Sequence, residues 1–485
     1  MLSLSFIKEI EKIIGRENVL TGEADRQNYA YDAAVLPPVV PGLVVRPTRT
    51  DQLGPLIQKC YEEGIPITIR GSGTNLSGGT IPDSTDAVII LTNSLDRILE
   101  INEEEMYAVV EPGVITCDLA AAVAARGLFY PPDPGSMSVS TMGGNIAENS
   151  GGVHCLKYGL TTNNVLGIEM VLMNGDIVRL GGKHLDSDGY DLLGIMTGSE
   201  GLLGVVTEVT VRILKKPETL RAVLIGFPSS ETGGDCVAAI IAAGIIPGGM
   251  EMMDKPAIHA AEEFVHAGYP LDVEAILIVE LDGPEAEVNH LIGEVEAIAR
   301  KNGAVSIRVS SSEDERLVFW AGRKAAFPAV GRISPDYLCM DGTIPRKQLP
   351  LVLNRMAEMS EHHGLRVANV FHAGDGNLHP LILYDANKPG ELQAAEDFGA
   401  DILKLCVEVG GVLTGEHGVG VEKRDLMIHQ FTETDMNQQQ RVKCAFDPDG
   451  LLNPGKVFPQ LHRCAELGRM HIHRGQLPFP DLPRF

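Results

Sequence analysis

No CxxC pair, no excess of positive charge and no long apolar run occurs in this sequence, and each absence excludes something. The eight cysteines, Cys60, Cys117, Cys155, Cys236, Cys339, Cys406, Cys444 and Cys464, are scattered through 485 residues. Such spacing excludes an iron–sulfur site of the chain's own and a disulfide framework, and it points to a reducing, cytoplasmic compartment. The most apolar stretch, CVAAIIAAGIIPGG at 236–249, is broken by Gly244 and Pro247. It is too short to cross a bilayer, which takes about 20 residues. The opening MLSLSFIKEIEKIIGREN reads as an amphipathic helix, and Lys8, Glu9, Glu11 and Lys12 interrupt any secretory-leader apolar core. Membrane association is therefore expected only through a partner. Basic residues number 40 against 65 acidic ones, for a net charge of −25. That balance excludes nucleic acid and anionic lipid as binding surfaces, and an anionic substrate would require a local cationic site. Short-period repeats and low-complexity tracts are absent too.

Hydrophobic residues make up 44% of the chain, and its length predicts two or three domains. After an N-terminal helical segment (1–37), the proline-rich VLPPVVPG leads into a first domain over 38–217. GLVVRP predicts a strand and IPITIRG another. Between them TDQLGPLIQKCYEEG predicts a helix with Leu53, Leu56, Ile57, Cys60 and Tyr61 on one face, making a βαβ unit. Pro55 fits poorly inside that helix and is expected to bend its first turns. Strands and turns then dominate to about residue 215. A second domain over 218–460 alternates longer helices with strands such as AILIVEL and VSIRVS. That pattern predicts an α+β domain with helices on one face of a mainly antiparallel sheet. A tail over 461–485 closes the chain.

The segment VANVFHAGDGNLHPLILY, 367–384, predicts a hairpin: β-rich apolar residues flank Ala373–Asn377, and Asp-Gly favours a type I′ turn. With Asp375 and Gly376 central, Gly374 pairs with Asn377, Ala373 with Leu378 and His372 with His379. Opposed residues have Cβ atoms roughly 4.5–5.5 Å apart, which suits two imidazoles on one divalent cation. Further on, GGVLTGEHGVG sets Glu416 beside His417 between glycines. Two histidines and a carboxylate form a common open-site ligand set for Zn, Mn or Fe, with positions left for substrate. A structural hairpin beside an unrelated turn is the plainer alternative. His154, His266, His429, His462, His471 and His473 have no comparable context and are expected to be structural or on the surface.

IPITIRGSGTNLSGG, 65–79, carries GxG after a strand but fails as a dinucleotide fingerprint. The following SGGTIPDSTD cannot open a helix, and no strand-end acid follows at the needed distance. Its glycines still allow successive N–H groups to point at one phosphate, with Ser72, Thr74, Asn75 and Ser77 as further donors. PPDPGSMSVSTMGGNIAENSGGVHCLKYG (131–159) and TGSEGLLGVVTEVTV (197–211) are two further glycine-rich, weakly charged walls. Together the three imply a large bound cofactor with phosphates.

RPTRTDQL, PITIRGSGTNLSGG, DPGSMSVSTMGGNIAENSGG and TGSEGLLGVVTE resemble the FAD-binding domain of the vanillyl-alcohol-oxidase (PCMH) type. FHAGDGNLHP, TGEHGVG and FDPDGLLNPGK resemble the C-terminal domain of FAD-linked 2-hydroxyacid dehydrogenases. The resemblance runs from residue 38 to the end and is strongest to the D-subunit branch of bacterial glycolate oxidase, through WAGRKAAFPAVGRISPDY and the tail. It implies an α+β fold with a PCMH-type FAD domain followed by a substrate domain. FAD would be lined by Arg70, Gly71, Ser72, Gly73, Thr74, Asn75, Ser77, Gly78, Pro134, Ser138, Gly143, Gly144, Asn145, Asn149, Gly152, Glu200, Gly201, Gly204, Val206 and Asn453, the last closing over the flavin from the far end. Relatives with covalent FAD often carry a histidine in the first loop, where this chain has Thr74 and Asn75, so non-covalent FAD is implied.

The resemblance also makes His372, His379 and Glu416 metal ligands, His417 the base and Arg323 the grip on a substrate carboxylate. Relatives acting on 2-hydroxyglutarate carry a lysine where this chain has Cys339, which favours a small monocarboxylate. The implied reaction is glycolate to glyoxylate by hydride transfer to flavin, with D-lactate to pyruvate, or an electron-relay subunit without a substrate site, as alternatives. Electrons would leave through iron–sulfur and accessory flavoprotein subunits. The chain would then be cytoplasmic, or peripheral at the inner membrane through those partners.

Overall fold

The computed structural model describes residues 2–184 and 189–459. The tail over 461–485 lies outside the described residues, as do His462, His471 and His473. The chain forms two compact units. One gathers the residues up to Ser150, Leu160–Lys215 and the chain from Glu416. The other gathers Gly151–Gly159 and Lys216–Gly415.

The first unit opens with a helix over Leu4–Ile14, capped by Ser3, whose Phe6, Ile10 and Ile14 make one buried stripe. Its four-stranded sheet runs in the order Val19–Leu20, Leu43–Val45, Val88–Leu91, Ile67–Arg70, and the last three strands are parallel. The helix Leu53–Glu62 buries Leu53, Leu56, Ile57 and Cys60, the face expected from sequence, with Tyr61 half-buried. The helix starts at Leu53 after a 3₁₀ turn over Thr50–Gln52, so Pro55 lies in the first turn, where its missing N–H has no intrahelical partner to lose.

A second, antiparallel sheet runs Ile98–Asn102, Tyr107–Val110, Val205–Arg212, Val165–Val171, Ile177–Gly181. Two helices, Thr116–Ala124 and Met142–Glu148, lie where strands and turns were expected to dominate. MGGNIAE is a poor helix former by propensity. The Thr141 cap, accepting from Gly144 N, and burial of Met142, Asn145 and Ile146 offset that.

The second unit is built on a seven-stranded antiparallel sheet. Its order is Ser306–Val309, Thr219–Phe227, Ala275–Gly283, Gly249–Asp254, Arg366–Phe371, Pro380–Tyr384, Asp336–Cys339. Helices Lys255–Val265 and Glu313–Val330 share one core with Ala222, Leu224, Ile276, Ile278, Ala368 and Val370. Helix Ser230–Ala242 lies on the other face, its Gly233 against Met252 and Phe227. Helices thus cover both faces rather than one. AILIVEL already carried that signal: an uninterrupted apolar strand belongs to a sheet buried on both sides.

Candidate functional site

In the first unit the glycine-rich loops converge because backbone and side-chain amides tie them together. Arg70 ends a strand, and its Nη1 donates to Tyr31 O (2.6 Å) and Thr80 Oγ1 (3.2 Å), so the guanidinium braces the loop from inside. Asn75 Oδ1 accepts from Ser77 N (2.9 Å) and Gly79 N (2.6 Å), folding the loop back on itself, while Gly73 and Gly78 take positive φ. Ser72 Oγ accepts from Asn93, and Thr74 is half-buried. Gly71 faces the Thr141 cap so closely that a Cβ would sit 2.3 Å from Thr141 Oγ1. Gly143 N donates to Pro112 O, and a Cβ there would meet Pro112 at 2.8 Å. Gly144 and Asn145 follow in the same helix. Its carbonyls Ile146 O and Ala147 O accept from Gly198 N and Glu200 N, which brings in the third loop.

Asn453, in the left-handed region, donates from Nδ2 to Glu200 O (2.8 Å) and Gly79 O (3.1 Å). It joins the first loop to the third. Gly201, Gly204 and Val206 continue from Glu200 into the strand Val205–Arg212. Pro134 O and Asn149 Oδ1 hold turns, accepting from Met137 N and Thr162 N, and Ser138 lies exposed between them in sequence. Gly152 is the exception: it belongs to the stretch Gly151–Gly159 that folds with the second unit.

The stretch after Glu416 is bound into this unit. Ser77 Oγ donates to His417 O (3.0 Å), and the Glu200 carboxylate accepts from Val419 N and Gly420 N at 2.6 Å each. Burial pushes the Glu200 carboxyl above its ordinary range against the pull of those two N–H groups, and burial with the neighbouring Glu200 pushes Glu148 well above it. A Cβ on Gly418 would sit 2.4 Å from Glu148 Oε2, so only glycine fits there. Glu148 was not singled out from sequence; a carboxylate in a glycine-rich, uncharged segment was the available signal.

A phosphate-bearing cofactor fits this cradle. Its glycines let the loops pack closely, since a Cβ at Gly71, Gly73, Gly78 or Gly143 would strike Thr141, Arg70, Leu36 or Pro112, and Asn145 Oδ1 and Asn453 Oδ1, buried without a hydrogen-bond partner among the described residues, leave acceptors for a bound ligand to meet.

In the second unit the hairpin register differs from the one read from sequence. His372 pairs with Asn377, and Asn369 with Pro380, so the connection holds four residues rather than two. A type I′ turn needs positive φ at both central residues. Only Gly376 adopts it, and Asp375 instead accepts from Asn377 N through Oδ1, making an Asx turn. His379 then lies two residues beyond the partner of His372, on the same face of the sheet. The two rings still meet, with centroids 5.1 Å apart at 84°.

Both imidazoles are anchored. His372 Nδ1 lies 2.7 Å from Glu251 Oε1, and His379 Nδ1 lies 3.4 Å from Met340 O. The same Glu251 accepts from Arg323 through Oε2, at 2.8 Å from Nε and 2.7 Å from Nη2. Arg323 is 5% exposed, so it is a buried guanidinium rather than a surface helix charge. Asp341, fully buried, accepts from Asn377 Nδ2 (2.9 Å), Thr414 Oγ1 (2.6 Å) and Gly415 N (3.0 Å). It links the hairpin turn to the two residues before Glu416. Cys339 is half-buried on the strand beside the hairpin. His154 binds Glu280, consistent with a structural role. Glu251 and Asp341 were missed in the sequence; an acid between methionines in the buried apolar strand GMEMMD was the readable clue to the first.

Residues 41–181 match the FAD binding domain family, and residues 216–457 match the family described as FAD linked oxidases, C-terminal domain. The chain belongs to the FAD-linked oxidases and is an FAD-linked oxidoreductase. It is 55% identical over 445 residues to the glycolate oxidase subunit GlcD of Escherichia coli strain K12, covering 92% of this chain and 89% of that protein. To GlcD of Bacillus subtilis strain 168 it is 39% identical over 459 residues, covering 94% and 97%. Among solved structures, p-cresol methylhydroxylase with substrate bound shares the fold at a TM-score of 0.79 and 18% identity, covering 93% of this chain and 96% of that one. No helix among the described residues is long and apolar enough to cross a membrane.

Proposed function

We propose that the protein oxidises glycolate to glyoxylate, with FAD held non-covalently by the glycine-rich loops of the first unit. The observation that carries this reading is the buried grouping of Arg323, Glu251, His372 and His379 on one sheet face, together with the 55% identity to a glycolate oxidase subunit. The oxidation removes a hydride from the α-carbon and a proton from the hydroxyl, and FAD, when bound, supplies the two-electron acceptor. His372, His379 and Glu416 would hold a divalent metal, Zn, Mn or Fe, which would supply Lewis acidity toward the hydroxyl and carboxylate. Arg323 grips the carboxylate and fixes the α-carbon's orientation. His417 takes the hydroxyl proton, on a loop that Glu200 and Ser77 hold in place. Cys339 offers no cation for a second carboxylate, so the substrate is a small monocarboxylate.

The first loop carries Thr74 and Asn75 where a covalent attachment histidine would stand, which supports releasable FAD. Iron–sulfur and accessory flavoprotein subunits are the proposed electron acceptors, because the scattered cysteines offer the chain no cluster of its own. The proposed location is cytoplasmic, peripheral at the inner membrane through those subunits. The test is a visible spectrum of the purified protein under anaerobic conditions. Flavin bands should bleach on adding glycolate, faster than with D-lactate, and remain unbleached after removal of the metal by a chelator. A flavin that no 2-hydroxy acid reduces would leave an electron-relay subunit as the better reading.

A further inference from the structure

We infer that Glu251 is a positioning residue that sets the metal-ligand nitrogen of His372 and the aim of Arg323 through one carboxylate. The inference rests on the reading of the site given above.

Glu251 is 1% exposed, in a strand whose neighbours Met250, Met252 and Met253 are all buried. Met252 pairs with Phe371 across the antiparallel ladder, so one residue further along Glu251 lies opposite His372. Direct opposition is the closest side-chain relation a sheet offers. Its two oxygens are divided: Oε1 faces His372 Nδ1 at 2.7 Å, and Oε2 faces Arg323 Nε and Nη2 at 2.8 and 2.7 Å. A carboxylate only accepts, so His372 must donate from Nδ1, and Nε2 becomes the nitrogen presented to a metal. On the other side, Nε and Nη2 are the edge of the guanidinium that Glu251 holds, which leaves Nη1 to turn toward a substrate carboxylate. One buried acid therefore neutralises the guanidinium, selects an imidazole tautomer and couples two groups on separate elements, a helix and a strand.

A merely structural ion pair would explain Arg323 but would not require the second oxygen to meet His372. Glu251→Gln separates the two. An amide has one acceptor oxygen, so it serves His372 or Arg323 but not both. The test uses FAD-loaded full-length enzyme and manganese(II) as the probe metal. In Glu251→Gln the manganese dissociation constant should rise about 10- to 100-fold, and KM for glycolate on the order of tenfold, with FAD content and melting temperature close to wild type. Glu251→Asp, which keeps two acceptors, should recover part of both. Unchanged manganese affinity and KM in a folded Glu251→Gln enzyme overturns the inference, as does a lower melting temperature with no change in either constant.

Should both variants fail to fold, the wild-type, metal-free enzyme decides. Its ¹⁵N-histidine spectrum should show His372, assigned by loss of the signal in His372→Gln, protonated at Nδ1; protonation at Nε2 overturns the inference. A wild-type enzyme that binds no divalent metal, and turns over equally well with chelator, refutes instead the metal site itself.

Discussion

Gly71 offers the sharpest test of how the cofactor cradle is built. An alanine Cβ at that position would lie 2.3 Å from Thr141 Oγ1 and 3.3 Å from Thr141 Cβ and Cγ2. No relaxed contact is that short, so the threonine must rotate or the loop must move. Thr141 is the N-cap of the helix Met142–Glu148, its Oγ1 accepting from Gly144 N at 3.2 Å. Rotation forfeits the cap, which costs about 1 kcal/mol. Residual crowding adds about 1–3 kcal/mol. Gly71→Ala should therefore destabilise by about 2–4 kcal/mol and weaken FAD binding, because both walls of the cradle shift. Thr141→Ala alone should cost about 1 kcal/mol. In the double variant the obstructing oxygen is gone, so the crowding disappears and the total falls back toward the cost of the lost cap. Urea midpoints in excess FAD, and FAD dissociation constants from flavin fluorescence, complete the double-mutant cycle. Strictly additive effects would show that the Gly71–Thr141 contact does not limit the cradle.

Other outcomes follow from the second unit. Alanine at His372, His379 or Glu416 should abolish glycolate turnover while the flavin spectrum persists; full activity in all three variants and in chelator would make the hairpin structural. Arg323→Lys loses the fork that engages Glu251, and kcat/KM should fall by an amount worth on the order of 2–4 kcal/mol, mostly through KM. Lysine at Cys339 should raise activity on 2-hydroxyglutarate relative to glycolate, and an unchanged ratio would move the pocket elsewhere. Burial raises the Asp254 carboxyl to about 6 from an ordinary 3.8. The native state then holds that proton more tightly than the unfolded chain. Stability from this group is present at acid pH and lost as pH rises from about 4 through about 6, by roughly 2–3 kcal/mol. Urea midpoints at pH 4.5 and 7 should show Asp254→Asn gaining on wild type at the higher pH; a pH-independent difference would contradict the burial cause.

The sequence by itself determined what depends on neighbours within a few residues. Alternation and apolar runs marked the strands, and the 3.6-residue spacing of Leu53, Leu56, Ile57 and Cys60 marked a helix face. Glycines next to small donors marked the cradle, and the two-residue side-chain period was enough to put His372 and His379 near each other even though the predicted pairing was off by two. Tertiary structure alone decided what depends on residues far apart in the chain. The true turn was set by Asp375 capping Asn377 and by Gly376 alone taking positive φ, choices that an Asp-Gly pair leaves open. Glu251 reaches His372 from 121 residues away, and Glu200 reaches Val419 from 219 away. No local pattern encodes either contact. They exist because sheet register and close packing bring those carboxylates to donors, and a buried carboxylate is tolerated only where such donors are waiting.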